Sequence, residues 1–160
     1  PYATERNRTW PLPLARLFLE RAMAETDWRF VLTGAAADRT AADRLATGLG
    51  PRLAVAAGRL ALPETWALLG EAALLVSIDT SLVHMAVAAG RPVVALYGPS
   101  DPLVWGPYGQ AEAVLQANQW CQRCKRPRCI HPGVPCMEAL LPEAALERAR
   151  SRLRPAALNG

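Results

Sequence analysis

The sequence predicts a three-layer α/β fold, in which a mostly parallel, Rossmann-like sheet lies between helices. Three observations carry that prediction. Helical and strand periodicities alternate along the chain. The strand cores are near-continuously apolar, as in sheets covered on both faces. Hydrophobic residues make up 51% of the 160 positions and charged residues 20%. That composition suits one domain with a real core and argues against disorder or a long coiled coil.

The elements follow in order. From Leu12 to Glu25, apolar residues at Leu14, Leu17, Phe18, Leu19 and Ala22 form the stripe of an amphipathic helix, entered after Pro11 and Pro13. Trp28 to Leu32 predicts a short buried strand, closed by Thr33-Gly34. Ala36 to Leu49 predicts a second helix, ended by Gly50-Pro51. Leu53 to Ala56 reads as a weak strand. Leu62 to Leu69 reads as a third helix, with Pro63 near its start and Gly70 near its end. Leu74 to Ile78 is a third strand, and Thr80 to Ala89 a helix for which Gly90 is a natural stop. Pro92 to Tyr97 is a fourth strand, GPSDPLVWGPYG a run of turns, and Ala113 to Leu115 a fifth strand. Pro142 to Arg152 is a last helix that opens with Pro and Glu, as the helix dipole prefers. There is no internal repeat and no low-complexity linker. The Pro-rich segments 99–107 and 127–135 are expected to be loops open to function.

No apolar run approaches the roughly 18–20 residues of a membrane span. The N-terminal PYATERNRTW lacks the apolar stretch of a signal peptide. The chain opens on Pro1 rather than Met, as expected of a processed chain or of a piece of a longer one. Net charge is +4, and Lys125 is the only lysine among 18 basic residues. Arginine richness beside so much Ala and Leu fits a genome's base composition. The clusters Arg123, Lys125, Arg126 and Arg128, then Arg148, Arg150, Arg152 and Arg154, keep a nucleic-acid surface open as an alternative. No nucleic-acid recognition motif accompanies them.

The most informative stretch is residues 77–109, SIDTSLVHMAVAAGRPVVALYGPSDPLVWGPYG. Asp79, Thr80 and Ser81 lie where a strand ends and a helix begins. Unpaired backbone N–H groups and the helix dipole make such a point a ready phosphate site, which the Thr80 and Ser81 hydroxyls could complete. The same three residue types are also good helix caps, and both readings stand. His84, one turn further on the same face, is either a packed residue or a second phosphate contact. Gly98 and Pro99 force a tight turn after the next strand, and Ser100 and Asp101 offer polar groups at the same sheet edge.

This stretch resembles the signature of the family 9 glycosyltransferases, the heptosyltransferases of lipopolysaccharide core assembly. Their pattern runs D-[ST]-G-x-x-H, small residues, a glycine, an apolar strand, then [FY]-G-[PS]-[TS]-D-P and a W/T-G-P-[YF] element. NRTWP at 7–11 is similar to the family's K-x-W-P entry to a helix. RFVLTGAAAD at 29–38 is similar to its strand ending in glycine, and PCMEAL at 135–140 to its C-terminal Cys-containing segment.

The resemblance implies a GT-B architecture, two Rossmann-like domains facing across a cleft, of which residues 1–160 would be the C-terminal, donor-binding one. It implies an ADP-sugar donor, inverting glycosyl transfer without a metal in the chemistry, and a cytoplasmic location, peripheral to the inner membrane. By the same carry-over, Asp79, Thr80, Ser81 and His84 would line the pyrophosphate and sugar. Arg8 would replace the family's Lys as a phosphate contact. Thr33 and Gly34 would lie near base and ribose, with Asp38 as the acidic ribose contact. Ser81 departs from the family's usual Gly and puts a side chain where backbone would approach phosphate. Val83 stands where Ser or Met is common. The acceptor-binding domain and the family's catalytic Asp have no counterpart in these residues, so catalysis by this half alone is not expected.

All four cysteines, Cys121, Cys124, Cys129 and Cys136, fall in a C-x2-C-x4-C-x6-C array with His131 inside it, in a loop expected over 121–136. The array can supply a tetrahedral thiolate site for structural zinc or iron. Neighbouring basic residues would lower the thiol pKa values and favour ligation. Two disulfides and four free thiols are the other readings; a cytoplasmic location disfavours the disulfides.

Overall fold

The structure, a computed structural model, describes residues 6–153 apart from 122, 125, 127 and 128. It contains six α-helices and five strands among these residues: α1 Leu12–Glu25, β1 Phe30–Leu32, α2 Arg39–Ala46, β2 Leu53–Val55, α3 Leu62–Glu71, β3 Leu75–Ile78, α4 Ser81–Ala88, β4 Val93–Tyr97, α5 Pro102–Trp105, β5 Val114–Gln116 and α6 Pro142–Leu153. The predicted alternation of helix and strand is present, and every strand pair is parallel.

Helix α1 buries Ala15, Phe18, Leu19, Ala22 and Met23, a stripe at helical spacing. That face packs against α6, which presents Pro142, Ala145, Leu146 and Ala149 at the same spacing. Trp10, at the entry to α1, is buried. Its indole N–H donates to the Leu140 carbonyl at 2.9 Å, and its ring meets Phe18 edge-on, centroids 5.9 Å apart. This contact ties the start of the described chain to its end, 130 residues away.

Strand β4 is buried along its whole length. Val94 and Leu96 point into the core formed with α1 and α6. Val93, Ala95 and Tyr97 point into a second core with Leu69 of α3 and Val83 and Ala86 of α4. A strand covered on both faces needs an unbroken apolar run, and PVVALY supplies it. Helix α4 ends as expected at Gly90, whose φ of +71° suits glycine. The Gly90 N–H donates to Val87 and the Arg91 N–H to Ala86, which closes the helix.

Three expectations change. The helix expected over Ala36–Leu49 is a 3-10 turn, Ala36–Asp38, followed by the shorter α2, because Asp38 folds back to cap the turn through the Ala35 N–H at 2.8 Å. The turn run after β4 contains α5, capped by the Asp101 carboxylate accepting from the Leu103 N–H. The third change concerns the sheet. Among the described residues it is divided into β1–β2 and β3–β4–β5, and β1 does not pair with β3. Between them lies an apolar cavity of about 580 Å³, lined by β1, β3, α1 and α3.

The C-terminal arginines are engaged within the fold. Arg148 donates to the Val114 carbonyl, Arg150 pairs with Glu25, and Arg152 pairs with Glu112. These contacts leave less of that cluster for nucleic acid. Lys125, Arg128 and Arg154 lie outside the described residues. No helix among the described residues is long and apolar enough to cross a membrane.

Candidate functional site

Parallel β–α units place their polar loops at the carboxyl ends of the strands, where open α/β sheets take their ligands. Strand β3 delivers Asp79 there, 8% exposed. Arg8 reaches it from the segment before α1: its Nη2 donates to Asp79 Oδ2 at 2.6 Å and to the Asp79 carbonyl at 3.2 Å. The Arg8 Nε is buried and has no hydrogen-bond partner among the described residues. Arg8 and Asp79 are thus one unit.

Thr80 precedes α4, yet its side chain makes no capping bond. Its hydroxyl pairs with Ser77 Oγ at 3.2 Å. Ser81 and His84 are exposed on the first turn. The capping reading therefore does not account for Thr80, and among the described residues no side chain caps the leading N–H groups of α4.

Tyr97, at the end of β4, completes this half of the site. Its hydroxyl donates to the Trp105 carbonyl and lies against the Asp79 carboxylate. Burial first, then the charge of Asp79 and its hydrogen bond, push the phenol well above its usual pKa; Arg8 opposes the shift. Tyr97 therefore stays a neutral donor at the base of the loop. The sequence marks it only as the last residue of an apolar strand. Gln116, equally unforeseen, donates to the Gly98 and Ser100 carbonyls, both at 2.9 Å, and braces the GPSD loop. At Gly98 a Cβ would sit 2.8 Å from Met137 Sδ and 3.1 Å from the Asn7 carbonyl, so glycine is required by close approach.

Thr33, Gly34 and Asp38 form a separate group at the end of β1. A Cβ at Gly34 would come within 2.5 Å of Asp38 Oδ2, and the Gly34 carbonyl accepts from the Gly58 N–H at 2.9 Å. Asp38 is held in this local cap. No hydrogen bond or ion pair among the described residues joins this group to Arg8 and Asp79; the gap between β1 and β3 separates them.

The cysteine loop departs from expectation. Cys121, Cys124, Cys129 and Cys136 are free thiols, and no three His, Cys, Asp or Glu side chains among the described residues are grouped to hold a metal ion. The described residues therefore give the expected zinc or iron site no support. His131 is occupied otherwise: its ring stacks on Trp120, and its Nδ1 accepts from the Gly133 N–H. The expected lowering of thiol pKa values also fails at Cys136. Burial raises it, and Cys129 adds to the rise; the Met137 N–H opposes, and Cys124 and Cys121 contribute further upward. Less thiolate means slower attack on disulfide reagents. In titration with Ellman's reagent at pH 8, Cys136 should be the slowest of the four thiols, so Cys136→Ser should remove the slow phase. Four equal rates in the parent chain would contradict this.

Parallel strands with an open helix N-terminus and an arginine at their carboxyl ends define a class: α/β proteins with a ligand edge suited to anions. The chain belongs to glycosyltransferase family 9 (heptosyltransferase), whose family model matches residues 1–134. It is 36% identical over 123 residues to lipopolysaccharide heptosyltransferase 1 of Pseudomonas aeruginosa strain PAO1, covering 76% of this chain and 34% of that protein. The same-named protein of Salmonella typhimurium is 44% identical over 52 residues, which is 32% of this chain and 16% of that protein. The chain thus spans at most about a third of these relatives.

Among solved structures, the family 9 glycosyl transferase of Veillonella parvula matches with a TM-score of 0.82 at 22% identity, over 95% of this chain and 44% of that one. E. coli heptosyltransferase WaaC with ADP matches with a TM-score of 0.75 at 27% identity, over 94% and 42%. The fold is that of one part of a GT-B heptosyltransferase.

Proposed function

We propose that this chain is the donor-binding half of a heptosyltransferase-like enzyme, holding an ADP-sugar at the carboxyl edge of β3 and β4. The uncapped N-terminus of α4 carries the proposal: backbone donors and dipole are left for an anion, since the Thr80 hydroxyl turns to Ser77. The buried, unpartnered Arg8 Nε supplies a second donor beside it. WaaC solved with ADP and with ADP-2-deoxy-2-fluoro heptose supports the choice of nucleotide.

In this reading the diphosphate rests on the first turn of α4 beside Arg8, and Ser81 and His84 reach its oxygens or the sugar. Thr33, Gly34 and Asp38 face the nucleoside. An acceptor hydroxyl attacks the anomeric carbon from the opposite side, the bond to the phosphate oxygen breaks, and ADP departs. The charge that develops on ADP is met by the α4 dipole and Arg8. The acceptor's proton goes to a base in an acceptor-binding domain outside these residues, so this half alone is proposed to be inactive. Such an enzyme would work in the cytoplasm, peripheral to the inner membrane.

Calorimetric titration with ADP and ADP-heptose should give saturable, one-site binding in the millimolar range or tighter. No saturable heat at millimolar ligand would overturn the proposal. Arg8→Ala should weaken binding by roughly tenfold or more, the worth of a charge-assisted hydrogen bond of about 1.5–3 kcal/mol.

A further inference from the structure

Tyr97 holds one hydroxyl hydrogen between two acceptors. In the β3–β4 register Ser77 lies beside Ala95 and Ile78 beside Leu96. One residue further on, Asp79 therefore lies beside Tyr97, and neighbours across a parallel ladder turn to the same face. Ile78 and Leu96 share the core with α1 and α6, so Asp79 and Tyr97 share the opposite face. Tyr97 is fully buried, and Asp79 nearly so. The phenol donates to the Trp105 carbonyl, and the Asp79 carboxylate lies against it as a second acceptor. A hydroxyl has a single hydrogen to give, so it serves one of them at a time.

Each acceptor belongs to a different part of the carboxyl edge. Asp79 holds Arg8, whose Nη2 donates to Oδ2 at 2.6 Å while Nε has no partner among the described residues. Trp105 closes α5, a helix of four residues that buries none of its side chains. Leu103, Val104 and Trp105 are each more than half exposed. Helix α5 has its own backbone bonds and the Asp101 cap at its start. At its end, the Tyr97 hydroxyl fastens the Trp105 carbonyl to the sheet.

Electrostatics decides which acceptor the hydrogen serves. While Arg8 meets the charge of Asp79, the phenol is free for the neutral carbonyl. An anion on the open edge of Arg8 changes that balance. The guanidinium then serves two negative groups, and the anion repels Asp79. A nearly buried carboxylate that loses part of its compensation is costly. Hydrogen bonds to charged acceptors are roughly twice as strong as neutral ones. The hydrogen therefore gains by turning from Trp105 to Asp79. Burial and the Asp79 charge keep the phenol protonated, so the hydrogen is there to turn.

We infer that Tyr97 is a positioning residue of the donor site: it steadies Asp79 when a diphosphate takes a share of Arg8, and the same turn of its hydroxyl releases the end of α5. Occupancy of the site thus reaches the segment 102–109, where Leu103, Val104, Trp105 and Tyr108 are exposed. This role rests on the donor reading; the link from Arg8 through Tyr97 to Trp105 does not.

The test uses the 160-residue chain labelled with 5-fluorotryptophan, its Trp105 signal assigned by loss in Trp105→Phe. Without ligand, Arg8→Ala should shift the Trp105 fluorine signal. Added to Tyr97→Phe, the same substitution should leave that signal still. Saturating ADP should shift the parent's Trp105 signal in the direction that Arg8→Ala does. Tyr97→Phe keeps the buried ring, and a cooperative melt checks that it folds. It should bind ADP roughly threefold to tenfold more weakly, the net worth of one hydrogen bond, and its Trp105 signal should not answer to ADP. An Arg8→Ala shift that is absent, or equal with and without the Tyr97 hydroxyl, overturns the inference. So does equal ADP affinity of Tyr97→Phe and the parent. Where the parent binds ADP, either result leaves the donor reading standing. If Arg8→Ala moves Trp105 only through Tyr97 but the parent binds no ADP, the donor reading falls, and with it the assignment of Tyr97 to that site.

Discussion

Ser81→Glu should leave the fold as stable as before, or slightly more so, while weakening ADP binding by roughly tenfold to several hundredfold. The two effects have opposite signs because they share one cause. A carboxylate in the first turn of α4 complements the helix dipole and stabilises it by about 0.3–1 kcal/mol. The same carboxylate stands where the diphosphate is proposed to sit. Two like charges about 4 Å apart repel by about 1 kcal/mol in water and about 4 kcal/mol near a protein surface. Ser81 is exposed, so the substitution meets no packing barrier. Thermal unfolding and calorimetry on one preparation would read both effects. Unchanged ADP affinity with a raised Tm would show α4 to be an ordinary helix end.

Trp10→Ala should cost about 3–5 kcal/mol, the usual toll for removing a large buried aromatic. For a domain of this size the Tm should fall by about 10 °C or more. Trp10 fills the space between α1 and the segment before α6, contacts Phe18, and satisfies the Leu140 carbonyl. Its loss leaves a cavity and an unpaired carbonyl, and frees the segment that carries Arg8. Trp10→Phe should cost less, since it keeps most of the ring and loses the N–H. If the two variants melt alike, the indole packing is not what anchors this end.

Much of the framework was legible in the residues. Helix α1 was readable with both ends, because its apolar stripe is long and prolines mark its start. The last helix was readable for the same reasons. Strands β3 and β4 were visible as apolar runs, and Gly90 as the stop between them. The strand-to-helix turn at Asp79–Ser81 was legible because a polar triplet at such a junction is a local pattern.

Other features were not legible. Asp38 closes a 3-10 turn three residues back, a local cap that no periodicity encodes. Short α5 was hidden because four residues carry no helical period. Tyr97 and Gln116 were missed because each acts through a partner 8 to 18 residues away or across a strand. The cysteine spacing suggested a metal, but spacing does not say where thiols point, and the described residues bring no three ligands together.

The sequence alone determined the alternation of helix and strand, the two-sided burial of the central strand, and the membership of glycosyltransferase family 9, because periodicity and short motifs are local in the chain. The tertiary structure alone decided that Arg8 holds Asp79 across 71 positions, that the thiols stand free, and that the parallel sheet is parted between β1 and β3. Those outcomes depend on which backbone edges and charges meet in space, and hydrogen bonds and packing across long separations settle that, not residue type.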